Sequence, residues 1–351
     1  MAIAQQPTQP RMLVQQTSGL AQVHIKEPGS DDSLGDGLDG SIDDGLDDNL
    51  NNGLDDGLDD GLGDLIRRHT AQKPEKRRDI KVSRNRSNKL KSLLSMYEQY
   101  LTIEGIPQME FVWRNLENKV VLTPSEINAF LQMTMEFEDY ERNSASDGVG
   151  HFITALIQNS YNAGHNNFVL YTSNLREKTD KLGWFTKGKS KRLINIKIFG
   201  DLGNHCFENG EYLSVEIYGN VGSSCGSCVK YSTLRIEGNA DEWCGTNAEY
   251  SSVIINGNAK DKCGHNANSS SFVIKGYVIF DIHYFHAENS SYRLDGDLIG
   301  IKFGGGCSNC EFLTTNKRTL KKLLQSDLKN GTSNKIYFIR ANGTKRLVWY
   351  N

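Results

Sequence analysis

The sequence predicts a mainly β protein whose centre is a single-stranded β-helix, or β-solenoid, of 19-residue repeats. The first observation is a glycine that recurs at this interval, once lengthened to 20, at Gly200, Gly219, Gly238, Gly257, Gly276 and Gly296. The second is an apolar pair four and two residues before each glycine, which is the alternation of a short strand with one buried face. The third is the length of the repeat, because 19 residues are too few to contain a helix in addition to the strands. We therefore expect coils that stack about 4.8 Å apart around a shared core.

One position of this repeat is repeatedly occupied by cysteine. It lies six residues after the glycine in four successive repeats, at Cys206, Cys225, Cys244 and Cys263. Free cysteine packs as a small apolar residue, so we expect a buried, reduced ladder. Cys228 and Cys310 lie outside that register and are expected to be more accessible. The pairs Cys225/Cys228 and Cys307/Cys310 have zinc-site spacing, but about four coils of about 4.8 Å would separate them, which argues against one shared zinc ion.

The clearest repeat reads Gly257-Asn-Ala-Lys-Asp-Lys-Cys-Gly264, followed by Ser270-Ser271 and the apolar run Phe272-Val-Ile274. This repeat, within residues 196–300, resembles that of the C-terminal domain of the glutamate synthase large subunit and that of a β-helical chain of formylmethanofuran dehydrogenase. The family pattern is Gly-Asn-Ala-Gly-Asp-x-aliphatic-Gly, and here a cysteine stands in place of the aliphatic residue. The resemblance implies a right-handed β-helix that serves as a structural partner and carries no catalytic residue.

The rest of the chain divides by composition and pattern. A capping box at Thr123-Pro-Ser-Glu126 and an amphipathic run over 149–163 indicate helices before the solenoid. Asn342-Gly343 between two apolar runs indicates a hairpin at the end of the chain. The predicted divisions are a disordered Asp/Gly/Leu tail (1–65), a basic linker (66–86), a helical N-terminal cap region (87–190), the solenoid (191–314) and a C-terminal helix-and-hairpin cap (315–351).

Charge is strongly segregated before residue 92. Residues 31–64 hold 13 Asp and no Lys, Arg or Glu, whereas residues 66–91 hold 11 Lys and Arg. Clustered cations displace counterions from phosphates, so the basic stretch is a candidate polyanion-binding site. Two other interpretations remain: a solvated linker, and a segment that pairs with the acidic tail. The candidate residues are Arg67, Arg68, Arg77, Arg78, Lys81, Arg84 and Arg86.

Three histidines fall near one predicted corner on adjacent coils: His265, His283 and His286. Three imidazoles in one place could hold a zinc or copper ion. The alternative is a degenerate coil whose aromatic and histidine side chains close an edge of the solenoid. The sequence shows no set of residues that combines a nucleophile with a base and an orienting group.

These observations favour a non-enzymatic scaffold or protein-interaction module with an unidentified protein partner and no cofactor. An alternative is a non-catalytic structural subunit of a larger oxidoreductase complex, as the resemblance implies, and a third is a nucleic-acid binder that uses residues 66–91. The sequence has no apolar run as long as a membrane span. It also shows no apolar signal segment, so we expect a cytoplasmic protein whose cysteines stay reduced.

Overall fold

The computed structural model describes residues 84–103, 106–116, 119–137, 148–279, 285–300 and 305–351. Within them the predicted β-solenoid is confirmed. One ten-stranded sheet runs along its whole length, and nine of these strands are parallel. In chain order they are β1 (Asn167–Tyr171), β2 (Ile194–Phe199), β3 (Leu213–Tyr218), β4 (Thr233–Ile236), β5 (Ser252–Ile255), β7 (Ser271–Ile274), β10 (Ser291–Leu294), β13 (Glu311–Thr314) and β14 (Lys335–Ile339).

Two shorter sheets form other sides of the coils. One pairs β8 (Val278–Ile279) with β11 (Leu298–Ile299), and isolated bridges continue it through the earlier coils. The other contains β6 (Ala267–Asn268), β9 (His286–Glu288) and β12 (Gly306–Ser308). The core fills the space between these sides, and alternate residues of each long strand point into it. Val215 pairs with Leu234 and Ile217 with Ile236, and all four are buried.

The recurring glycine is required by the closeness of adjacent coils. A Cβ on Gly238 would lie 2.5 Å from the carbonyl oxygen of Gly219 in the preceding coil. The residue after the glycine ties the same corner together, because the backbone N–H of Asn239 donates to Oδ1 of Asn220 at 2.9 Å. Asn258 N–H donates to Oδ1 of Asn239 at the same distance. The repeat thus combines a corner without a side chain and a continuous asparagine ladder.

The solenoid begins earlier and ends later than the sequence predicts. The first strand is β1, so the solenoid begins before residue 191. The first coil is longer than the repeat, since Asn167 pairs with Asn195, and the 19-residue period does not extend to it. At the other end β14 pairs in parallel with β13, so the solenoid continues beyond residue 314. Its last coil carries a helix, α5 (Lys317–Gln325), and a 3-10 turn, Asp327–Asn330.

Within the described ranges, four α-helices precede the solenoid: α1 (Arg84–Leu101), α2 (Ile106–Asn115), α3 (Pro124–Met133) and α4 (Gly148–Asn162). The predicted capping box opens α3, where Thr123 N–H donates to Glu126 and its hydroxyl accepts from Glu126 N–H. Helix α2 is not predicted by the sequence analysis. Pro107 lies in the first turn of α2, where a helix tolerates proline. None of the helices in the described ranges has both the length and the apolar character needed to cross a membrane.

The C-terminal hairpin is confirmed. Strand β15 (Lys345–Tyr350) runs antiparallel to β14, and Gly343 at the turn has φ +79°. The predicted tail (1–65), and the linker (66–86) up to residue 83, lie outside the described residues.

Candidate functional site

The cysteine ladder is a core element. Cys206, Cys225, Cys244 and Cys263 are fully buried as free thiols, as predicted. Their coils are joined by backbone hydrogen bonds, for instance from Gly226 N–H to the Cys206 carbonyl at 2.8 Å. Burial raises the pKa of Cys206 to about 12. The pKa values of Cys225 and Cys263 are raised too, first by their contact with the Cys244 thiol and then by burial. Cys206, Cys225 and Cys263 are thus held protonated and are poor nucleophiles, whereas contacts with the Cys225 and Cys263 thiols lower the pKa of Cys244.

The expectation for the remaining cysteines is half correct. Cys228 is half-buried, as predicted for a residue outside the ladder. The predicted accessibility of Cys310 is wrong, because its side chain is completely buried. Cys310 continues a second inward ladder, which passes through Ser270 and Ser290 in the preceding coils. Cys307 is also buried, opposite Ala287. The spacing of Cys307 and Cys310 therefore arises from two neighbouring inward positions of one coil.

Two of the three predicted histidines lie next to each other. The ring centroids of His265 and His286 are 5.8 Å apart, and the backbone N–H of His286 donates to Nδ1 of His265 at 3.3 Å. Burial, followed by the nearby His286 and Lys262, lowers the pKa of His265. His283 lies outside the described residues. Within the described ranges, no group of three or more His, Cys, Asp or Glu side chains could hold a metal ion.

The predicted polyanion site falls mostly outside the described residues. Arg67, Arg68, Arg77, Arg78 and Lys81 precede the first of them. Arg84 and Arg86 lie in the first turns of α1. Binding of nucleic acid or another polyanion by this stretch stays a prediction from the sequence.

The described surface carries a feature that the sequence analysis missed, a stack of three tyrosines. The rings of Tyr212 and Tyr231 lie 5.0 Å apart at an interplanar angle of 10°, and those of Tyr231 and Tyr250 lie 5.2 Å apart at 3°. Tyr231 is 41% exposed and Tyr250 is 56% exposed. All three lie twelve residues after a repeat glycine, so the 19-residue register contained the signal.

The backbone at these corners does not require tyrosine. The three tyrosines have φ of 55°, 52° and 50°, in the left-handed region that most L-residues avoid. Ser269 and Asn289 occupy the equivalent corners of the next two coils with φ of 51° each. Asparagine and other small polar residues adopt this conformation at lower cost than a bulky aromatic residue. The fold therefore accepts a small residue at this corner, and the aromatic rings are an addition to it.

Charges beside the stack are paired. Lys187 Nζ lies 3.4 Å from Glu211, and Lys230 Nζ lies 3.0 Å from Glu249. Each of these acidic residues, and Lys230, comes directly before a tyrosine of the stack. Hydroxyl side chains of Ser214, Thr233 and Ser252 follow two residues after the tyrosines. In the chain, the tyrosines of the stack are thus flanked by paired charges and by hydroxyl side chains.

The chain was compared with known proteins at three levels. No family model matches it, and no curated protein or solved structure matches it either.

Proposed function

We propose that this protein is a non-enzymatic scaffold that binds another protein through the tyrosine stack, Tyr212, Tyr231 and Tyr250. The observation that supports the proposal is the exposure of stacked aromatic rings at corners where later coils hold Ser or Asn. Tyrosine supplies a large apolar ring and a hydroxyl at low entropic cost, and it is enriched in protein interfaces and their hot spots.

The stack offers a preorganised surface. Its rings are held by each other and by corners whose backbone bonds to the neighbouring coils. Tyr231 N–H donates to the Glu249 carbonyl and Tyr250 N–H to that of Asn268, both at 3.0 Å. A partner would therefore bind without first ordering these side chains, which is a common cost of association.

The flanking ion pairs indicate the kind of partner. Glu211, Lys230 and Glu249, which come directly before the tyrosines, already have partners of opposite charge. The complementary surface is an uncharged patch of a protein with apolar atoms to cover the rings. It also needs amide or hydroxyl groups to bond the tyrosine and serine hydroxyls. Part of the same proposal is a reducing, cytoplasmic environment, in which seven free thiols are stable.

The test replaces two tyrosines by serine, the residue type of Ser269 at the equivalent corner of the coil after Tyr250. The variant is Tyr231→Ser/Tyr250→Ser. Tyr277→Ser is the matched control, since Tyr277 is 41% exposed and forms no part of the stack. Purified wild type and both variants are used to capture proteins from the native host, and bound proteins are identified by mass spectrometry. The proposal expects a partner retained by wild type and Tyr277→Ser and lost by the double variant, with similar melting temperatures for all three.

Two results would contradict the proposal. One is an identical set of bound proteins for wild type and the double variant at equal melting temperature. The other is robust hydrolase or redox turnover by the purified wild type, which would remove the non-enzymatic part.

A further inference from the structure

A half-open cleft of about 350 Å³ lies between α4 and the first coil of the solenoid. Its volume is within the range of small-molecule sites. The helix contributes one wall and the segment from Trp184 to Thr186 contributes the facing wall. The lining includes His151, Thr154 and Ala155 on the helix and Trp184, Phe185 and Thr186 on the facing wall.

The two walls are fixed to each other on both sides of the cleft. On one side Thr154 Oγ1 donates to the Gly150 carbonyl and accepts from Gly183 N–H, both at 2.7 Å. One helical turn later, the Gln158 amide accepts from Lys187 N–H at 2.8 Å and donates to the Lys187 carbonyl at 3.1 Å. Ala155 lies between these anchors, and its small side chain leaves the space open. The cleft is therefore a built cavity with fixed walls.

The facing wall is aromatic beyond what the fold requires. Trp184 and Phe185 meet edge to face at 4.5 Å, and the ring of His151 lies 4.8 Å from Trp184. Phe185 is 49% exposed and has φ 55°. Asn209 and Asn247 have φ of 56° each at the equivalent corners of later coils. A bulky ring has thus replaced the residue type that prefers this backbone, at the mouth of the cleft.

A buried hydroxyl in the wall is left without a partner. Thr186 is 1% exposed, and its Oγ1 forms no hydrogen bond with any described residue. Leaving a buried hydroxyl unsatisfied is unfavourable, so such a group commonly has a ligand or a water as partner. Among the described lining residues there is no Asp, Glu, Lys or Arg, and the Lys181 ammonium already lies over the Trp184 ring, 5.7 Å from its centroid, so the lining itself offers an ion no charged side chain.

We infer that this cleft binds a small, uncharged, planar aromatic molecule that carries a hydrogen-bonding group. The ring lies against Trp184 and Phe185, and its polar group bonds to Thr186 Oγ1. Aromatic pairs of this kind contribute beyond the area that they bury. The inference is independent of the tyrosine stack, because the cleft lies in the first coil and involves none of those residues.

The test titrates the full-length protein with indole as the probe, which is planar, neutral and has one N–H donor. Binding is followed by saturation-transfer NMR as the indole concentration is raised. We expect saturable binding in the millimolar range or tighter. Ala155→Leu fills the cleft and should weaken it at least about 10-fold, whereas Ala341→Leu, the same change in an exposed turn, should not.

Thr186→Val keeps the side-chain volume and removes the hydroxyl, so it tests the polar contact without a large change in packing. We expect about 3- to 10-fold weaker indole binding, the loss of one hydrogen bond. Cyclohexanol, which has a hydroxyl but no planar ring, and the ions benzoate and benzylammonium should not bind. The inference is wrong if indole shows no saturable binding at millimolar concentration, if Ala155→Leu binds it as well as wild type, or if the ions bind equally well.

Discussion

Cys310 occupies the ladder position that Ser290 holds one coil earlier, and its side chain makes the same two contacts. Ser290 Oγ donates to the carbonyl two residues before it, of Glu288, at 2.7 Å and to that of Ala267 in the preceding coil at 3.3 Å. Cys310 Sγ donates to the carbonyls of Ser308 and Ala287, both at 3.4 Å. A thiol thus replaces a hydroxyl in a ladder of buried polar side chains.

This relationship predicts that Cys310→Ser will fold and be about as stable as wild type, because oxygen can donate to the same two carbonyls. Cys310→Val has a similar volume but no donor, and it should lower the free energy of unfolding by about 1–3 kcal/mol. Urea unfolding followed by circular dichroism measures both changes. Equal loss of stability in the two variants would show that volume, and not the donor, matters at this position.

The two ladders show which features of the fold the 19-residue period predicts and which it does not. The period located the glycines, the strands and the four cysteines at Cys206, Cys225, Cys244 and Cys263, because every stacked coil repeats one chemical requirement. The period did not predict the burial of Cys310, because this ladder needs a small side chain that donates a hydrogen bond. Serine and cysteine both meet that need, so the residue type changes along the ladder. The period also failed for β1, since pairing across a longer first coil depends on three-dimensional contacts that leave no fixed interval. The cleft beside Trp184 could not be predicted either, because it needs α4 placed against that coil.

Adjacent isoleucines in β5 provide a test of the strand register. Ile255 is fully buried in the shared core, whereas Ile254 points outward and is half-buried. We expect Ile255→Ala to lower the free energy of unfolding by about 2–5 kcal/mol, as for other buried aliphatic side chains. Ile254→Ala should cost less than about 1 kcal/mol. If chemical denaturation ranks the two variants the other way, the strand register is wrong.

The corner glycines predict a steric effect. In Gly238→Ala the new Cβ would lie 2.5 Å from the Gly219 carbonyl oxygen, a backbone atom that cannot move without separating two coils. We expect a loss of about 1–3 kcal/mol or more, as for other overpacked sites. Gly305→Ala is the control, because its Cβ would meet only Asp327 Cβ at 3.8 Å. Similar melting temperatures for the two variants would exclude close contact at this corner.

The charge segregation before α1 predicts masking of the basic stretch. Deletion of residues 1–65 removes the 13 Asp of residues 31–64 and leaves the basic residues from Arg67 onward. If the two segments pair, the shortened protein will bind heparin or single-stranded DNA more tightly than full-length protein at low salt, and added salt will abolish the difference. Fluorescence anisotropy at two salt concentrations measures this. Equal affinity of both proteins at low salt would remove the masking hypothesis.

Cys228 is the thiol that should react first with a labelling reagent. It is half-buried, whereas the other six thiols are buried in the two inward ladders and the position beside Ala287. Labelling followed by mass spectrometry should modify Cys228 in the folded protein and the remaining cysteines only on unfolding. Modification of Cys310 together with Cys228 in folded protein would contradict the burial of the second ladder.

Finally, the ladder predicts that alkaline pH destabilises the protein. Burial raises the pKa of Cys206 from its ordinary 9.0 to about 12, so the unfolded chain loses this proton at lower pH than the folded one. The stabilisation is complete below about pH 9 and is lost as the pH rises towards 12. From about pH 8 to about pH 10 this thiol should reduce the free energy of unfolding by about 1 kcal/mol. Cys206→Ser removes the ionisable group, so its urea unfolding should change less over the same range. Parallel pH dependence in wild type and variant would mean that Cys206 ionises as readily in the folded protein as in the unfolded chain.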